Sequence, residues 1–182
     1  MSSYVTQNDL LLKNLTTFYN TDNRLDTMLK VINGESKISL RIVDWFVTNF
    51  AKEKYIVFNL EQGKRIKVYD SYKLNLRAYS KKRFDPFCRW DRITIPYKND
   101  THIQTTIGQL NFFKWALENR ILEYIESNYS TIEKDMNNRN STSRKNNTAT
   151  NEKKTRKKRE ELSISAVKSI KKETVDIIVK FD

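Results

Sequence analysis

The chain has 182 residues, 38% of them apolar and 12% aromatic, enough for one packed domain with an appendage. Its formal net charge of +12 and pI near 9.7 favour polyanionic partners, nucleic acid ahead of an acidic membrane surface. One cysteine, Cys88, excludes an internal disulfide and a zinc site of paired cysteines, and no apolar run approaches the ~18 residues of a membrane span.

The opening stretch MSSYVTQNDLLLKNL lacks the pattern of a secretory signal, so an intracellular location without a membrane partner is expected. Leu11, Leu12, Leu15 and Phe18, then Leu25, Met28, Leu29 and Ile32, recur at helical spacing and predict two short helices, the second stopped by Asn33-Gly34. A third helix begins near Ser39 on a stripe of Ile42, Val43, Phe46, Val47 and Phe50.

The period then changes. Tyr55–Leu60 and Arg65–Tyr69 are β-rich and flank Glu61-Gln62-Gly63-Lys64, which predicts a hairpin. Residues 71–80 satisfy both a strand and a helix period. Pro86 keeps Asp85 out of the helical region, so Phe84–Trp90 reads as a loop before a strand at Arg92–Tyr97.

Thr106 with Gln109 fits a capping box and opens the longest predicted helix, with Leu110, Phe113, Leu117, Ile121, Leu122, Ile125 and Tyr129 on one face and a break near Asn128 before a restart to Met136. From Asn137 the aromatics vanish and the composition predicts disorder. The expected fold class is α+β: N-terminal short helices, a β-hairpin with additional short strands, one long C-terminal helix, then a disordered basic tail. The expected units are a domain over 1–137, a linker over 138–173 and a β-type peptide over 174–182. That peptide is expected to dock as a strand, on a protein partner somewhat sooner than on its own sheet.

Function is read from Lys64 to Arg92, where ten basic and three acidic residues leave +7 and aromatics interleave with cations. That pattern offers attraction for phosphate and flat faces for unstacked bases, which single-stranded nucleic acid would use together. The candidate binding residues are Lys64, Arg65, Lys67, Tyr79, Lys81, Lys82, Arg83, Phe84, Phe87, Arg89, Trp90 and Arg92. A second basic run, Lys153, Lys154, Arg156, Lys157, Lys158 and Arg159, suits a nuclear import receptor or a phosphate backbone.

Catalytic and cofactor signals are sparse. The chain has no glycine-rich phosphate loop, His102 is the lone histidine, and Asp70, Asp85 and Asp91 each stand beside cations they would neutralise. A non-enzymatic protein without metal or cofactor is expected. A virion structural or adaptor protein with a tethered tail is the alternative, and a winged helix-turn-helix with Ser39–Ala51 as its reading helix is a third possibility.

The strings AYSKKRFDPFCR (Ala78–Arg89), TIGQLNFFKWA (Thr106–Ala116) and IVDWFVTN (Ile42–Asn49) resemble an uncharacterised protein family of giant double-stranded DNA viruses, over about residues 36–130. The resemblance implies a viral factory in host cytoplasm or a virion, with the host nucleus reached only if the basic run acts as a signal. It transfers no catalytic residue.

Overall fold

A computed structural model describes residues 6–148, apart from 22, 60–62, 64, 90–91 and 99–100, together with 171–174. Helix α1 (Gln7–Tyr19) starts at a capping box in which Thr6 and Asp9 satisfy each other's backbone, and α2 (Arg24–Ile32) comes next. Ser39 caps α3 (Leu40–Trp45), which runs through a π-helical turn at Phe46–Phe50 into the short α4 (Ala51–Glu53). The extra residue of a π turn rotates the next helical turn about the axis. Here Phe46, Val47 and Phe50 all remain buried, and α4 is carried to the surface with Lys52 and Glu53 exposed.

Strands β1 (Val57–Asn59) and β2 (Arg65–Lys67) form the expected antiparallel hairpin, Phe58 opposite Ile66. Residues 71–80 are helical: α5 (Val68–Phe84) begins directly after β2 and is interrupted at Ser80, whose φ of 64° and ψ of 167° belong to a region normally occupied by glycine. Asp85 is extended, as Pro86 requires. Strand β3 (Arg92–Pro96) pairs antiparallel with β4 (Thr101–Thr106), a strand that its Thr/Gln sequence does not announce because it carries little apolar signal.

In place of one long helix after Thr105 there are three, α6 (Ile107–Glu118), α7 (Ile121–Ser127) and α8 (Tyr129–Thr148). Thr106 accepts from the Gln109 amide as predicted. The break the sequence hides is at Arg120, left-handed at φ 55°, with Asn119 closing α6 onto the Trp115 carbonyl. Both sides of it face the same core, so the apolar spacing passes through unchanged. Helix α8 crosses the boundary expected at residue 137, and β5 (Lys171–Thr174) spans the end of the expected linker and the first residue of the expected β-type peptide, pairing with β4 of the same chain, Thr101 opposite Thr174.

The core is organised around α6, buried on nearly every side from Ile107 to Ala116. The Tyr19 hydroxyl donates to the Leu110 carbonyl at 2.7 Å, Asn111 donates to the Arg83 carbonyl at 2.9 Å, and the Trp115 indole donates to Ser71 at 3.0 Å. These bonds tie α1 and α5 to the central helix. Every residue from Leu40 to Ala51 is buried or half-buried, so α3 and the π turn are core elements and not a groove-reading helix.

Candidate functional site

The expected binding segment divides by burial. Phe84 is fully buried in a ring cluster with Tyr72, Phe112 and Trp115, so the stacking role expected of it is excluded. Tyr79 and Phe87 are half-buried and packed on the core, Tyr79 lying parallel to Phe84 with centroids 6.1 Å apart. The cations behave oppositely. Arg65, Lys67, Lys81, Lys82, Arg89 and Arg92 are exposed or half-exposed and Arg83 is half-buried. Lys64, Trp90, the run from Lys153 to Arg159 and residues 175–182 lie outside the described residues.

Helical geometry explains the division. Along α5, Val68, Tyr72, Leu76 and Tyr79 turn inward, while Lys73, Leu74, Arg77, Ala78 and Lys81 are exposed. At about 100° per residue, Phe84 in an unbroken helix would share the outward face of Lys73 and Arg77. The break at Ser80 redirects the last turn, sending Phe84 into the core and leaving Lys81 and Lys82 in solvent. Lys73, Arg77 and Lys81 have no ion-pair partner among the described residues. Beside them a groove of about 400 Å³ is lined by Asp70, Lys73, Leu74, Leu76 and Arg77.

A second concavity, about 540 Å³, opens where the end of the π turn and α4 meet β2, the start of α5 and α8. Lys52 and Glu53 come from α4, Lys67 from β2, Tyr69 and Asp70 from α5, Arg139 from α8, and Tyr55 from the link to β1. Lys52 lies 5.6 Å from the Tyr69 ring and Lys67 lies 5.8 Å from the Tyr55 ring. Lys67 also pairs with Asp70 at 3.0 Å, and Arg139 pairs with Glu53 and, at 3.3 Å, with Asp135, whose other oxygen accepts from the Trp45 indole at 2.8 Å. Asp70 lines both cavities, so the cleft adjoins the N-terminal end of the cationic face of α5. The segment read for function includes Lys67 and Tyr69 but not Lys52, Tyr55 and Arg139, because separate segments supply those three and only the fold brings them together.

Elsewhere the polar groups are structural. Desolvation pushes the Asp44 carboxyl up to about 6, with the Asp85 charge adding to it. Hydrogen bonds from Lys98 and Tyr97 hold Asp26 below its ordinary value, and the same contact raises Tyr97 to about 12. His102 lies half-buried on β4. Among the described residues no three His, Cys, Asp or Glu side chains are grouped to hold a metal ion, and no helix is long and apolar enough to cross a membrane.

The architecture is an α+β protein with two small antiparallel sheets and a buried central helix, presenting one cationic helix face and an aromatic-lined cleft. Residues 4–181 match the model described as "Family of unknown function (DUF7197)", and the chain belongs to that family. It is 45% identical over 128 residues to "Uncharacterized protein L507" of Acanthamoeba polyphaga mimivirus, a match covering 65% of this chain and 49% of the relative. The chain thus spans about half the length of that viral relative, and the resemblance to giant-virus proteins holds. No solved structure matches it.

Proposed function

We propose that this chain is a non-enzymatic nucleic-acid-binding protein of a large DNA virus, acting in the viral factory or the virion, and that it holds the phosphate backbone with the outer face of α5. The observation that carries this is the exposure of Lys73, Arg77, Lys81 and Lys82 along one element, while Tyr79 between them is half-buried against the core. A solvated cationic helix face neutralises phosphates and releases their counterions, giving affinity that falls with salt. Single-strand binding should weaken by about 0.7 log units per log unit of salt for each phosphate contacted.

Replacing Lys73, Arg77, Lys81 and Lys82 together by Ala should lower that slope by roughly 3 without unfolding the chain, since none of the four side chains is buried. Filter-binding titrations of the full chain across a salt series measure it. Absence of affinity for any oligonucleotide at low salt, or an unchanged slope in the variant, defeats the proposal.

Leu74, 64% exposed among these cations, favours a protein–protein adaptor as the second function, with Leu74 as its apolar anchor. An adaptor would bind its partner with little salt dependence and lose it on Leu74→Ser.

A further inference from the structure

Tyr55 is held where a tyrosine gains little. Its φ of 50° is left-handed, and the residue is 73% exposed. It sits just past α4 at the position where helices usually place glycine, and the Ile56 amide donates back to the Ala51 carbonyl at 3.2 Å to complete the helix-ending turn. A bulky residue in this conformation is strained, and an exposed ring returns little burial to offset the strain. Glycine would satisfy the backbone better. The exposed ring lines the cleft with the Lys67 ammonium toward it, and Lys52 lies against the ring of Tyr69, another residue of the lining.

We infer that this cleft holds one nucleotide unit of a single-stranded nucleic acid, its base stacked on Tyr55 and its phosphate between Lys52 and Lys67. The volume of about 540 Å³ falls within the range of small-molecule sites and suits one base with its sugar and phosphate. Glu53 and Asp70, ion-paired with Arg139 and Lys67, keep lone pairs that accept amino or hydroxyl hydrogens. Asp70 lines both this cleft and the groove beside the cationic face of α5, so the two neighbour each other. This inference rests on the proposed phosphate binding by α5 and adds to it the preference for unpaired bases.

The experiment compares wild type, Tyr55→Gly and Tyr55→Phe, as full chains, for a short oligothymidylate, a duplex of equal length and polyglutamate. Tyr55→Gly should melt at the same temperature or higher, because it relieves the left-handed strain, and should lose about 5- to 150-fold in oligothymidylate affinity with duplex affinity unchanged. Tyr55→Phe should retain the oligothymidylate affinity. If Tyr55→Gly binds oligothymidylate as wild type does, the cleft inference falls while phosphate binding by α5 stands. If wild type binds neither nucleic acid, the α5 proposal falls first. Polyglutamate binding that also depends on Tyr55 would make the ligand an acidic peptide and overturn base stacking.

Discussion

Asp44, half-buried on α3, illustrates how one side chain sets a pH dependence. Desolvation, with Asp85 adding like charge, lifts its carboxyl from 3.8 to about 6, so the folded chain holds a proton that the unfolded chain releases earlier. Between about pH 4 and pH 6 the native state binds more protons, and this group's contribution to stability therefore falls as pH rises through that window. At about 1.4 kcal/mol per pH unit, the loss is at most about 3 kcal/mol. Asp44→Asn should raise the melting temperature at pH 8 and leave it nearly unchanged at pH 4. A variant no more stable than wild type at pH 8 would show that the carboxyl is better solvated than its position implies.

At the level of elements, α6 depends on contact with the chain after α5. A Cβ on Gly108 would lie 2.7 Å from the Asp85 carbonyl oxygen and 3.2 Å from that of Lys82, both backbone atoms that cannot turn aside. On an exposed helix Gly→Ala stabilises by roughly 0.4–1 kcal/mol; here the clash should reverse the sign and cost about 1–3 kcal/mol. The urea midpoint of Gly108→Ala reads that sign directly. The close approach also accounts for the path of the segment: with Asp85 fixed over Gly108 and Phe84 fixed among Tyr72, Phe112 and Trp115, the helix cannot continue straight past Ser80. The broken turn therefore places core and cationic surface in adjacent residues.

Over the whole molecule the charge is unevenly distributed, with +5 in residues 1–137 and +7 in residues 138–182. Two cationic regions could each attract a polyanion, and salt titration separates them. Replacing Lys153, Lys154, Arg156, Lys157, Lys158 and Arg159 by Ser in the full chain should reduce the salt slope yet leave oligonucleotide binding measurable at low salt, if α5 contributes its own phosphate contacts. Complete loss in that variant would assign binding to the run alone.

Sequence alone determined the α+β class, the first two helices, the β1–β2 hairpin, the Thr106 cap and the extended Asp85, because each depends on periodicity, a capping side chain or a proline's fixed geometry within a few residues. It also located the cationic segment, since charge is a property of composition. Tertiary structure decided which aromatics of that segment are buried: Tyr79 follows the helical period of Tyr72 and Leu76, but Phe84 faces inward only because the break at Ser80 lets it pack on α6, against the spacing of the chain before it. The break at Arg120, the pairing of β5 with β4, and the meeting of Tyr55, Lys67 and Arg139 at one cleft likewise depend on residues far apart in sequence. Such contacts form only when the chain closes on its core, which is why the cationic segment was legible before folding and the cleft only after it.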